Sequence, residues 1–437
     1  MIKKLRVHLI LVALISVANC PLSIAQSDVP VPAPKQTERI CLKGGTVHIG
    51  NGTVIENAYV LFENGKVTDV FAATTIKTDA TLGRIIDVTG KQIYPGVIAP
   101  NTVLGLSEIE AVRATNDQGE VGAINPDVRA VISYNTDSRV TPTVRSNGVL
   151  YAQVVPQGGR VSGTSSVVQL DAWNWEDAAV KADEGLFITW PNMYKVKGWW
   201  AEPEGYELNK EYDKGVQDLK DYFNEAKSYA YSTHEKKNLR FESMRKLFTD
   251  KENLYVRVDY VKEILNVITF AEEMGVNVVL IGGADSYMIA DVLAQKKIPV
   301  ILGRSHELPS YNDEDIQQPY KTPAILQKAG VLYALSINGF WQQRNLMFQA
   351  GTASAYGLSK EEALASITSN TAKILKLDDK IGTIEKGKAA SFIISDGDLL
   401  DMRSSNISQA FIDGREINLD NKQKELYKKF SDKYFKK

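Results

Sequence analysis

Near its N-terminus the chain alternates short apolar runs with turn residues. Tyr59-Val60-Leu61-Phe62 and Val67-Thr68-Asp69-Val70 flank Glu63-Asn64-Gly65-Lys66. Asn-Gly between two apolar runs predicts a tight β-hairpin, because both turn residues tolerate positive φ. Arg84 to Val88 reads as another strand, and Gly90-Lys91 as a turn into Ile93-Tyr94-Pro95-Gly96. The middle of the chain follows a different rule. Val261, Ile264, Leu265 and Ile268 recur at i, i+3, i+4 and i+7, which predicts an amphipathic helix. The continuous apolar run Val276 to Ile281 suits a parallel strand buried on both faces. A helix through Ile289, Val292 and Leu293 and a second strand at Ile298 to Leu302 complete a βαβ unit, hence a parallel sheet. Ser359-Lys360-Glu361-Glu362 has the form of a capping box ahead of Ala363, Leu364 and Ile367. The C-terminal part returns to short strands, with Phe392-Ile393-Ile394 and a hairpin around Asp413-Gly414.

Two β-rich ends around an α/β middle predict one small composite β domain, formed by residues 40–95 and 378–425, and a central domain over 96–377. A charged stretch at about 192–253, with Trp199-Trp200 and helical spacing at Val216, Leu219, Tyr222 and Phe223, reads as an insertion on that central domain. The 437 residues suit a large barrel of roughly 250 residues with a satellite. Hydrophobic content of 44% and charged content of 24% are those of an ordinary globular protein. A formal charge of −2 leaves no basic footprint, which excludes nucleic acid as an expected partner.

Residues 1–25 read as a signal peptide. Lys3, Lys4 and Arg6 precede the apolar stretch Leu9 to Ala18, and Ser23-Ile24-Ala25 offers small residues for cleavage. The stretch is too short to span a bilayer, so no transmembrane span is expected and the protein should be exported, periplasmic or secreted. Val17-Ala18-Asn19 is a poor match to a lipoprotein signal, which argues against anchoring through Cys20. Cleavage after Ala25 leaves Cys41 as the single cysteine, unable to close an intrachain disulfide. The Pro-rich, polar residues 26–39 read as a tether.

Several segments resemble the amidohydrolase superfamily, and its imidazolonepropionase-like branch in particular. An apolar run through Pro95-Gly96 leads to Val97-Ile98-Ala99-Pro100-Asn101-Thr102-Val103, where the family carries His-x-His on its first barrel strand. Downstream, Asn370-Thr371-Ala372-Lys373-Ile374-Leu375-Lys376-Leu377 and Gly382-Thr383-Ile384-Glu385-Lys386-Gly387-Lys388-Ala389 resemble the family's exit signature, and Phe411 to Ile417 its closing hairpin. The resemblance implies a (β/α)₈ barrel with a β-sandwich made from both chain ends, and chemistry at the C-terminal ends of the barrel strands. It also implies hydrolysis by a water bound to one or two divalent ions such as zinc, held by imidazoles and carboxylates.

Carried over position by position, those ligands are missing. Asn101 and Val103 stand at the His-x-His positions, Phe187 at the fourth-strand basic residue and Arg257 at the fifth-strand histidine. Ile281-Gly282-Gly283 supplies no sixth-strand imidazole, and Asn338 stands at the eighth-strand aspartate. The whole chain has four histidines, His8, His48, His234 and His306, and none of them are neighbours. No metal and no other cofactor is therefore expected. Among the remaining titratable groups, His306, Asp259 and Asp285 are the candidates for acid–base work. Arg257 and Asp259 flank Val258 and should share one strand face as a charged pair. Arg344 could grip a carboxylate. The reading is an exported, catalytically degenerate amidohydrolase homologue acting as a binding or partner subunit, with Asn101, Phe187, Arg257, Asn338 and Arg344 lining a pocket for a small molecule in the barrel mouth. It would associate with itself or with an intact amidohydrolase subunit. The alternative is an active hydrolase of non-peptide C–N bonds that uses His306, Asp259 or Asp285 as base and Arg257 or Arg344 to stabilise an oxyanion. A third reading, a structural envelope component, predicts a mouth plugged by the insertion at about 192–253.

Overall fold

The computed structural model describes residues 29–75, 82–199, 202–311 and 313–435. The expected signal peptide and Cys20 lie outside them. The N-terminal strands are β1 (Ile40–His48), β2 (Val54–Glu63), β3 (Lys66–Ala72), β4 (Arg84–Asp87) and β5 (Gln92–Pro95). The hairpin expected at Asn64-Gly65 joins β2 to β3, with φ of 52° and 79° at the two turn residues. Further along come β6 (Val97–Thr102), β7 (Val149–Val154), β8 (Val161–Gln169), β9 (Ala179–Thr189), β10 (Tyr194–Trp199) and β11 (Glu202–Leu208). They are followed by β12 (Asn253–Val258), β13 (Asn277–Gly282), β14 (Val300–Leu302) and β15 (Tyr333–Leu335), then by β16 (Phe392–Ser395), β17 (Ile407–Ile412) and β18 (Arg415–Glu416).

Both chain ends meet in one sheet, ordered β18-β17-β16-β5-β1-β2-β3 with β4 on β1. The junction is β16 antiparallel to β5, with Phe392 opposite Pro95 and Ile394 opposite Ile93. β1 bulges between Lys43 and Val47, and the bend lets the sheet wrap its own core, where Phe62 meets Phe392 and Phe411 edge-on at 5.0 and 5.2 Å. The Pro-rich stretch expected as a tether lies against this body from Ala33 onward. The Ala33 N–H donates to Asp171 at 2.9 Å and its carbonyl accepts from Arg415 at 3.1 Å. Gln36 bridges Phe62 and Gly65. Asp171 is fully buried between Arg145 and Arg415, at 2.6 and 2.7 Å, so this ion cluster pins the segment.

The central sheet is a nearly closed barrel, in the order β6-β7-β8-β9-β12-β13-β14-β15. Its strands are parallel except β8, which is antiparallel to both neighbours. β8 follows β7 by a short loop and leads to β9 through a segment with a one-turn helix, Trp175–Ala178, so neither connection is a full crossover. β15 and β6 meet at the seam, where the Thr102 hydroxyl donates to the Gly339 carbonyl at 2.7 Å and the Val103 N–H reaches the same oxygen at 3.4 Å. The amphipathic helix runs Val261–Met274 and stops at Gly275 in the left-handed region (φ 69°). It buries Ile264, Val267, Ile268 and Ala271 on the barrel. Leu265, expected in that stripe, faces solvent, because Val267 occupies the inward position.

The charged stretch at 192–253 resolves into three parts. β10 and β11 form a projecting hairpin, and helices Tyr212–Ala230 and Leu239–Thr249 pack outside the barrel. Phe223 meets Phe270 at 5.1 Å and Phe248 at 6.5 Å. These two helices are the crossover from β9 to β12, and Asn253 already belongs to β12. They lie on the outer wall and do not plug the mouth. Among the described residues no helix is long and apolar enough to cross a membrane.

Candidate functional site at the barrel mouth

The C-terminal end of β6 is distorted where the chemistry would begin. Ala99 pairs with Ala152 and Thr102 with Val154, so β6 carries one residue more than β7 between these pairs. The surplus is absorbed at Asn101, which takes φ 53°. Asparagine tolerates this left-handed conformation where a β-branched residue would be strained. The bulge turns the Asn101 carboxamide toward β15, and its Nδ2 donates to Asn338 Oδ1 at 3.3 Å. The positions expected on the first and eighth strands therefore do converge. Asn101 Oδ1 is buried without a hydrogen-bond partner among the described residues.

Arg257 and Phe187 form the next part of the rim. Tyr255 pairs with Phe187 across β12 and β9, and the two rings stack at 4.7 Å. The Arg257 guanidinium lies over the Phe187 ring at 4.9 Å. It donates to Ser162 Oγ at 3.2 Å and to the Pro156 carbonyl at 2.9 Å. Burial pushes Arg257 down to about 10, so it stays charged at neutral pH. The expected pair with Asp259 does not form. β12 ends at Val258, the chain turns, and strand alternation no longer places residue 259. Asp259 Oδ1 instead accepts from the Ala284 N–H at 3.4 Å; the residue is exposed at the rim, and desolvation of its carboxyl by the surrounding loops raises it above the ordinary range.

Gly282 explains how Asp259 fits. Gly282 has φ 94°, and a Cβ there would stand 2.3 Å from Asp259 Oδ1. The Asp259 carboxylate thus occupies the space that a side chain at position 282 would need. Asp285 is fully buried and receives the Val261 N–H at 2.9 Å and the Tyr311 hydroxyl at 2.8 Å. Burial raises its carboxyl as well. His306 is placed apart from this group. It is exposed, its Nε2 pairs with Thr352 Oγ1 at 2.6 Å, and partial desolvation of the ring together with the neighbouring Arg304 lowers its imidazole. Arg344 donates to the Trp341 carbonyl and lies over the Trp341 ring at 5.7 Å, which makes it a local packing residue.

Sequence reasoning missed a polar spine inside the barrel. The Asn101 N–H donates to Gln153 Oε1 at 3.0 Å, and Gln153 Nε2 donates to Glu184 Oε1 at 2.5 Å. Ser165 donates to the same oxygen at 2.6 Å, and Tyr255 donates to Glu184 Oε2 at 2.8 Å. Asn253 extends the chain to the far end by bonding Tyr255 and the Ile374 carbonyl. Glu184 is buried and its oxygens are satisfied by neutral donors. The network fixes the Asn101 backbone and so the shape of the mouth. A cavity of about 520 Å³ at the opposite end, around Lys251, Pro299 and Lys376, lies away from the face where barrels of this kind carry chemistry.

Asn101, Asn338, Val103, Phe187 and Arg257, the residues that the resemblance sets at the family's ligand positions, are two carboxamides, an isopropyl group, a phenyl ring and a guanidinium. Among the described residues no three His, Cys, Asp or Glu side chains lie close enough to share a metal ion. This donor set does not fit a divalent cation: hydrocarbon offers no lone pair, and a half-buried guanidinium repels a second positive charge.

Residues 324–418 match the model of the amidohydrolase family. No curated protein matches the chain. Among solved structures, an amidohydrolase from Thermotoga maritima is 28% identical, with a TM-score of 0.73 over 87% of this chain and 99% of that one. A Xaa-Pro dipeptidase with bound methionine is 13% identical, with a TM-score of 0.53 over 87% of this chain and 100% of that one. An ochratoxinase of A. niger is 11% identical, with a TM-score of 0.53 over 88% of this chain and 96% of that one. In fold along most of its length, and in sequence over residues 324–418, the chain is similar to the amidohydrolases.

Proposed function

We propose that this is an exported protein of the amidohydrolase fold, of the imidazolonepropionase-like branch, that has given up metal-dependent hydrolysis and acts as a binding or partner subunit. Its barrel mouth takes a small anionic molecule. The observation that carries the reading is Arg257. A guanidinium stands where the resemblance expects a metal-binding imidazole, and it lies half-buried over Phe187 with no carboxylate as its ion-pair partner among the described residues. Even a partly desolvated cation is costly unless paired, and an anion entering the mouth would complete it. The adjoining carboxamides of Asn101 and Asn338 offer further polar contacts to such a guest. Export rests on the charged and apolar segment at residues 1–25.

The test is elemental analysis of the purified mature protein after exposure to equal concentrations of zinc and manganese. Metal near zero per chain is expected. One or two ions per chain would overturn the reading and restore a hydrolase with a different ligand set.

A further inference from the structure

Beside the mouth lies a cavity of about 720 Å³ that the barrel chemistry does not use. One wall is the β10–β11 hairpin. Tyr194 pairs with Leu208 and Val196 with Tyr206 across it, so alternation puts these side chains on a single apolar face. Tyr194, Val196 and Tyr206 line the cavity and are exposed. The opposite wall is the start of helix Val261–Met274 together with Tyr260 and Tyr311, whose rings stand 6.2 Å apart at 51°. Four tyrosines thus face one space from three separate segments.

Carboxylates stand behind that aromatic wall. Glu263 lines the cavity, is 2% exposed, and accepts the Met193 N–H at 2.6 Å. Asp285 holds Tyr311 and Val261, both cavity residues, through Oδ2, while its Oδ1 is buried without a partner. Neither acid forms an ion pair among the described residues; Lys195 and Lys262 also border the cavity and are exposed. The two lysines stand in solvent at the border, whereas the buried acids behind the rings make no ion pair among the described residues, so the inner wall presents ring faces backed by carboxylates, which suits a bulky, weakly hydrated cation. An apolar neutral guest would leave those carboxylates as they are, and an anion would be repelled.

We infer that this cavity is a binding site for a small organic ammonium ion, enclosed by Tyr194, Tyr206, Tyr260 and Tyr311 and neutralised by Glu263 and Asp285. Burial holds both carboxyls above their ordinary range, and a cationic guest would lower them again. Arg257 does not line this cavity, which needs neither a metal nor hydrolysis.

Isothermal titration of the full chain with choline, and in parallel with its neutral isostere 3,3-dimethyl-1-butanol, tests the inference. Choline should bind saturably, and the isostere about tenfold more weakly or less. Tyr206→Ala removes an exposed ring and should weaken choline about tenfold, with an unchanged thermal midpoint showing that the fold is kept. Absence of saturable choline binding, equal affinity for the isostere, or full choline affinity in Tyr206→Ala would each overturn the assignment.

Discussion

Replacing Arg257 by methionine separates a structural role for this residue from a ligand-binding one. Burial that pushes the guanidinium down to about 10 corresponds to about 3 kcal/mol held against its charged form. Two favourable contacts offset that penalty. The charged hydrogen bond to the Pro156 carbonyl contributes about 2 kcal/mol, and the stacking over Phe187 about 1 kcal/mol. The sum is near zero, so Arg257→Met, which keeps an unbranched apolar chain over the ring, should change unfolding stability by no more than about 1 kcal/mol. A small carboxylate that pairs with the guanidinium would lose about 3 kcal/mol on the same substitution, roughly a hundredfold in affinity. Urea unfolding followed by tryptophan fluorescence reads the first quantity, and titration with benzoate reads the second. A variant that loses several kcal/mol of stability while binding benzoate as the parent does would refute the reasoning, because Arg257 would then be a strut for the loop at Pro156.

Two further perturbations test the surroundings. Burial pulls the His48 imidazole down, but its hydrogen bonds to Glu361 at 2.6 Å and Gln92 at 3.0 Å outweigh that and leave it above its ordinary value. The protonated form therefore adds stability that is fully present below about pH 6.5 and is lost as pH rises through the elevated folded value; the gap in urea midpoint between the parent and His48→Gln should be widest near about pH 5.5 and shrink by about pH 8.5, and a gap that grows with pH would contradict the assignment. Gly282→Ala should cost about 1–3 kcal/mol, since it combines φ 94° with a Cβ placed 2.3 Å from Asp259 Oδ1; Asp259→Ala in the same chain should restore part of that loss in thermal unfolding, and no restoration would mean that the backbone alone resists.

What could be read from the sequence follows from how local each signal is. The turns at Asn64-Gly65 and Asp413-Gly414 were legible because positive φ at both turn residues is a demand that few side chains meet. The capping box at Ser359 and Glu362 forms as its spacing implies. β8 was not legible. Its segment VSGTSSVVQ reads like a polar loop, yet all of it is buried, because the hydroxyls of Thr164 and Ser165 find partners on β9. Glu184 was invisible for the same reason: its donors sit on β7, β8 and β12, far away in sequence. The pairing of Arg257 with Asp259 failed at one residue, since alternation was carried past Val258, where the strand stops. Asn101 and Asn338 are hydrogen-bonded although distant in sequence, a contact made by the closure of the barrel and beyond the reach of local patterning. Local signals thus located the elements. The polar groups inside the barrel are decided by contacts between elements, and these are the groups that shape the mouth. A perturbation of Glu184 should therefore register at Asn101 through Gln153, even though nothing in the sequence around residue 184 marks it as part of the site.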